Sequence, residues 1–99
     1  MLELKHIVEF VGTFIFLNVI IKNVKGGVAW AAFPIALTLL AVIFWGGSIS
    51  GGHFNPAVTT MFFLDGALSM QDAIMYIAAQ ILGAYGALMF YKMNIAKSA

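Results

Sequence analysis

The sequence predicts an all-α membrane protein with three transmembrane helices and one re-entrant half-helix. Three observations carry that expectation. Of the 99 residues, 63% are hydrophobic and 9% are charged, far from the balance of an average soluble domain. The apolar residues fall into three long runs, each near the length that a hydrocarbon core of roughly 30 Å requires. Between the second and third runs lies Ser50-Gly51-Gly52-His53-Phe54-Asn55-Pro56-Ala57-Val58-Thr59, a stretch of glycine and turn formers set in apolar surroundings.

The first span runs over 4–21, interrupted by Glu9 and Asn18, and Asn23 to Gly27 make a turn. The second span runs over 28–45 with Pro34 in its first half, and Gly46-Gly47-Ser48 end it. A re-entrant loop and half-helix then occupy 48–64. Asn55 suits a helix N-cap, and Pro56 suits the first helical position, where its missing N–H is no loss. At ~1.5 Å per residue, a helix ending at Leu64 spans about half a bilayer core. Irregular backbone at that depth is tolerated only where it is buried in protein or lines a watery cavity, so the stretch points to a pore. Asp65-Gly66 stop the half-helix. Ser69 to Asp72 form a capping box that opens the third span, 73–91, where Gly83 and Gly86 permit close helix contact. Lys92 to Ala99 is a short polar tail. The whole chain, 1–99, reads as one membrane domain.

Composition excludes several classes of function. A net charge of +1 points to no nucleic acid and no acidic substrate. With no cysteine, thiolate chemistry and disulfides are absent. The N-terminus, charged with Glu3, Lys5, His6 and Glu9, does not read as a cleavable signal peptide. No nucleophile–base set, phosphate loop or dinucleotide fingerprint occurs, so no enzyme and no cofactor is expected.

Few residues remain to carry chemistry. An ionisable group inside a span is expensive and usually faces the bundle interior. Glu9 is therefore read as an acceptor for loop N–H groups, against the plainer reading of an interfacial charge. His53 reads as a structural hydrogen-bonding group rather than a metal ligand, because His6 is the only other histidine and no cluster of ligand spacing exists; no metal is expected. Gln80 reads as a polar tie to neighbouring backbone. Phe10, Phe14, Phe44, Trp45 and Tyr91 read as packing and interface residues, and Asp65 and Asp72 as solvated loop charges.

At this point the residues resemble a known family. Ser50 to Thr59 is similar to the loop in the first half of aquaporins and glycerol facilitators. Glu9-Phe10-Val11-Gly12-Thr13 resembles the start of their first helix, and Ala79-Gln80-Ile81-Leu82-Gly83-Ala84 resembles their third. Family members contain two such halves in opposite orientations, like other inverted repeats; this chain supplies one. The resemblance implies a pore in which two half-helices meet by their N-termini, each offering one Asn amide. It assigns the pore motif to Asn55, Pro56 and Ala57, and a ladder of carbonyls to Gly51, Gly52 and His53. Phe16 and Leu39 fall on the apolar wall, and Glu9 and Gln80 anchor the loop. The narrow filter maps to Ile35, Ile43, Gly52 and Val58, with Val58 standing where the family usually has arginine.

The expectation is a passive channel for water and small neutral solutes such as glycerol, lying in a lipid bilayer. It would form when the chain pairs with a second, inverted copy, four such pairs making a homo-octamer, and it would exclude protons and ions at the paired Asn-Pro-Ala centre. Two rivals stay open: a non-conducting subunit that assembles with another aquaporin half or a full-length aquaporin, and a small ion-leak pore. Lys22, Lys25, Lys92 and Lys97 fall on one face against Lys5 on the other. By the positive-inside rule that bias favours one orientation, which makes a separate partner half the alternative to self-pairing.

Overall fold

The computed structural model describes residues 1–98 and contains four α-helices: α1 (Leu4–Lys25), α2 (Ala32–Ser50), α3 (Pro56–Leu64) and α4 (Met70–Ser98). No strand occurs among the described residues. α1, α2 and α4 are long and apolar enough to cross a membrane, and α3 is a nine-residue piece. The architecture is the one the sequence predicts, three spans and a half-helix.

The boundaries differ in instructive places. α1 continues one turn beyond 21, through Lys25, because lysine stems lie along a helix end while their ammonium groups reach water. Its turn is confined to Gly26 and Gly27. α2 starts at Ala32, after a turn over 28–31, which puts Pro34 in its first helical turn, where N–H groups have no intrahelical partner. Gly46-Gly47-Ser48 do not end α2. A Cβ at Gly46 would strike the Val8 side chain, so that glycine serves a close helix contact rather than a stop. The stop is Gly51, at φ 90°, whose N–H donates to the Gly47 carbonyl at 2.9 Å. α4 carries on past Tyr91 through the stretch read as a polar tail; Ala99 lies outside the described residues. Of the capping box, one half forms: the Asp72 N–H donates to Ser69 Oγ at 3.1 Å, while the Asp72 carboxylate turns to α1.

α1 is the central helix. It packs along α4 and against α2, and α3 rests on α4. A Cβ at Gly83 would sit 3.0 Å from the Phe10 carbonyl oxygen, so α4 lies directly on α1 backbone. Lys5 Nζ donates to Asp72 Oδ2 at 2.8 Å, and His6 Nε2 lies 3.1 Å from Asp72 Oδ1. These contacts join the start of α1 to the start of α4, so the two helices run parallel. The end of α2 meets the same side, because Ser50 Oγ donates to Glu9 Oε2 at 2.8 Å and Tyr76 donates its hydroxyl to the Ser50 carbonyl at 2.7 Å. Residues 51–55 thus fold inward from that side. α3 returns toward it to feed α4, and its N-terminus points to the interior.

Candidate functional site

The site is built on a buried carboxylate. Glu9 is 0% exposed and accepts four hydrogen bonds. Oε2 takes the Ser50 hydroxyl at 2.8 Å and the His53 N–H at 3.0 Å; Oε1 takes the Phe54 N–H at 2.8 Å and Gln80 Nε2 at 2.9 Å. A buried charge is tolerable when its lone pairs are satisfied in this way. Two of the donors are loop backbone groups that would otherwise be orphaned inside the protein.

The network continues through α4 into α3. Gln80 Nε2 also donates to Thr59 Oγ1 at 2.8 Å, and Thr59 Oγ1 lies 2.8 Å from His53 Nδ1. The His53 ring stacks on Phe62 at 5.1 Å and tilts against Tyr76 at 5.0 Å. Gln80 thus ties side chains on α1 and α3, not the neighbouring backbone that the sequence suggested, because Glu9 and Thr59 present acceptors within its reach. Gln80 Oε1 and Thr13 Oγ1 are buried without a partner among the described residues.

Phe54 sets the loop's shape. Its φ of 51° lies in the left-handed region, which costs a non-glycine residue on the order of 1–2 kcal/mol. The hydrogen bond to Glu9 and burial of the ring beside Val8 and Val42 offset that strain. A Cβ at Gly12 would fall on the Phe54 ring, so glycine there makes room for it. One residue later Asn55 is extended and caps α3, with Oδ1 accepting from the Ala57 N–H at 2.8 Å. The cap uses the amide oxygen and leaves the amide NH2 free to donate. Asn55, Pro56 and Ala57 are exposed on the open side of the molecule.

The other positions drawn from the resemblance are placed as follows. Gly51 is exposed, and Gly52 and His53 are half-buried. Gly52 adjoins Ile43, whose Cγ1 would lie 3.4 Å from a Cβ at that glycine. Ile35 is half-buried on α2, two turns before Ile43 and therefore about 12 Å away along the helix. Val58 and Phe16 are half-buried, and Leu39 packs against the cluster of Val8, Val42 and Phe54.

Three participants escaped the sequence reading: Ser50, Thr59 and Tyr76. A signal for the last was available, since Tyr76 and Gln80 stand four apart on one face of an apolar helix. Asp72 is not a solvated loop charge; it is bound by Lys5 and His6. Glu3, His6 and Asp72 also bring three potential ligand atoms within 4.8 Å, a cluster invisible in sequence because Asp72 lies 66 positions from His6. Both nitrogens of His6 are engaged, Nδ1 by the Glu3 N–H at 2.9 Å and Nε2 by Asp72, and the Lys5 ammonium sits on the same carboxylate. That arrangement is a clamp between α1 and α4.

Comparison with known proteins gives this geometry a family. The model of the major intrinsic protein family matches residues 3–98. Glycerol uptake facilitator protein-like 6 of Lactiplantibacillus plantarum is 46% identical over 85 residues, covering 81% of this chain and 38% of the relative. Aquaporin PIP1-1 of Oryza sativa subsp. japonica is 40% identical over 89 residues, covering 79% and 31%. Probable aquaporin PIP-type 7a of Pisum sativum is 38% identical over 92 residues, again covering 79% and 31%. The chain spans about a third of the length of these curated relatives. No solved structure matches it. The chain is an integral membrane protein and belongs to the major intrinsic protein family.

Proposed function

We propose that the chain forms one half of a passive channel for water and small neutral solutes such as glycerol. The observation that carries this reading is Asn55, exposed at the interior end of a half-helix, with its amide oxygen tied to the Ala57 N–H and its NH2 directed by that tie. A helix N-terminus carries partial positive charge. An inverted second unit would set another such end against it, and the pair would repel cations and hydronium. The two Asn amides would donate to a passing water oxygen and break the chain of water-to-water donation. Gly51, Gly52 and His53 would line the approach with carbonyls, opposite Phe16 and Leu39.

The second unit is a second copy, and four such pairs form a homo-octamer. The lysine bias toward one face supports a second reading, a distinct partner half of opposite bias, including a non-conducting role for this chain beside a full-length aquaporin. The filter, with Ile35, Ile43, Gly52 and Val58, offers no side-chain hydrogen bond, so small neutral solutes pass along with water.

Vesicles reconstituted with the purified chain test the proposal. They should swell in an osmotic gradient faster than empty vesicles, in water and in glycerol, without proton leak. Asn55→Asp should raise proton or cation leak, and Val58→Arg should suppress glycerol more than water. Swelling no faster than in empty vesicles would overturn self-pairing. Swelling restored only by a second protein would favour the partner-half reading.

A further inference from the structure

A cleft of about 760 Å³ lies away from this site, between the second half of α1 and the last turns of α4. Its walls include Phe14, Ile15 and Phe90, and it is also lined by Asn94, Tyr91, Lys22 and Lys97. Because α1 and α4 run parallel, its rim is on the face opposite the one where residues 51–55 fold inward.

Charge distribution makes the cleft distinctive. The four acidic residues of the chain are Glu3, Glu9, Asp65 and Asp72, and all lie toward the other end. Lys22, Lys25, Lys92 and Lys97 gather at the cleft end, and none of them is within ion-pair distance of a carboxylate among the described residues. The amide nitrogens of Asn18 and Asn23, also at the cleft, are bonded to their own helix, to Phe14 and Val19 carbonyls at 2.8 Å each. Among the described residues, no carboxylate compensates the positive charge of the rim. At 3.6 residues per turn, the α1 residues that line the cleft are centred about 100° from Glu9, Gly12 and Phe16, with Asn23 reaching round to that side.

We propose that this cleft holds an anionic phospholipid, with its phosphate between the Lys22 and Lys97 ammonium groups and an acyl chain along Phe14, Ile15 and Phe90. An apolar slot ending in two unpaired cations matches a molecule with an apolar tail and an anionic head. Basic pockets between transmembrane helices bind lipid headgroups in this manner. A neutral lipid would leave the two cations uncompensated, and a free phosphate would leave the apolar walls uncovered.

The test reads thermal stability of the purified protein in detergent, independently of any transport. Phosphatidylglycerol should raise Tm more than phosphatidylcholine with the same acyl chains. The double variant Lys22→Gln/Lys97→Gln should bind phosphatidylglycerol more weakly, by about fivefold per lysine removed, and lose most of the shift. Lys22→Arg/Lys97→Arg should keep it, as should the control pair Lys25→Gln/Lys92→Gln, which changes the same face outside the cleft. Equal shifts from the two lipids, or an equal loss in the control pair, would overturn a site in favour of diffuse surface charge. Glycerol phosphate reproducing the full shift would overturn the lipid. Ile15→Cys, in a chain with no other cysteine, should form no disulfide-linked dimer under oxidation in lipid; a disulfide-linked pair would give the cleft to a second protomer.

Discussion

At the end where α1 and α4 begin, polar side chains bond across helices; at the end where they finish, Asn18 and Asn23 bond to their own helix. Glu9, Ser50, Gln80 and Thr59 join all four helices through one buried network, and Lys5 and His6 clamp Asp72. Asn18 and Asn23 instead return their amides to the carbonyls four residues back, and the four lysines are exposed. The difference shows where irregular backbone has been accommodated. Residues 51–55 break helical hydrogen bonding, so their polar groups need partners from elsewhere, and the network is what supplies them. The far end has no broken helix to satisfy and can leave its polar groups to water and headgroups.

The largest break in that contrast comes from Glu9→Leu. It leaves the His53 and Phe54 N–H groups, the Ser50 hydroxyl and the Gln80 amide short of an acceptor, at about 1–3 kcal/mol for each group left unsatisfied. Thermal unfolding in detergent should show the largest loss of any single substitution in the chain. Glu9→Gln retains an acceptor oxygen and should fall between. If Glu9→Leu melts with the wild type, the carboxylate does not hold the loop.

Next is Gly12→Ala, whose new Cβ lands on the Phe54 ring. Overpacking of this kind costs about 1–3 kcal/mol. The discriminating measurement is the double variant Gly12→Ala/Phe54→Ala. Removing the ring should recover part of the loss, so the two changes should be non-additive. Strict additivity would mean that the loss at Gly12 has nothing to do with the ring.

A smaller effect is expected at the α1–α4 clamp. The Lys5 and Asp72 side chains are partly exposed, so water screens their attraction. Asp72→Asn should lower Tm slightly at low salt, and the difference from wild type should shrink as salt is added. A large loss that salt does not touch would show that the His6 contact, buried on one side, matters more than the lysine.

Much of this was legible in the sequence, for physical reasons that differ by region. The spans showed because a bilayer imposes a length on apolar runs, and α3 showed because Asn55 suits a cap and Pro56 the first helical position. The end of α2 was misplaced because glycine has two uses. At Gly46 it admits the Val8 side chain and at Gly51 it ends the helix, and sequence alone does not separate close approach from a stop. Glu9 stood out as a charge in an apolar run. Its partner Ser50 did not, nor did Thr59 and Tyr76, which extend the network through Gln80 and the Ser50 carbonyl, since a hydroxyl on a helix is ordinary until a neighbouring helix gives it something to bond. The Glu3–His6–Asp72 cluster was beyond reach for the same reason, as parallel packing of two helices far apart in the chain creates it.

The smallest effect predicted is the sharpest control on the contrast. Asn23 Nδ2 donates to the Val19 carbonyl within α1, a bond the helix can spare because that carbonyl already accepts a backbone N–H in the helical ladder. Alanine has the higher helix propensity, by a few tenths of a kcal/mol, which offsets the lost bond. Asn23→Ala should therefore leave Tm within the range of about ±0.5 kcal/mol usual for surface changes. The same measurement on Gln80→Ala, also one amide on a span, should give a clear loss, because Gln80 donates to Glu9 and Thr59 on two other helices. If Asn23→Ala proves as damaging as Gln80→Ala, the far end of the molecule is bound to something across the helix boundary. In that case an inverted second unit would be the first place to look for the acceptor.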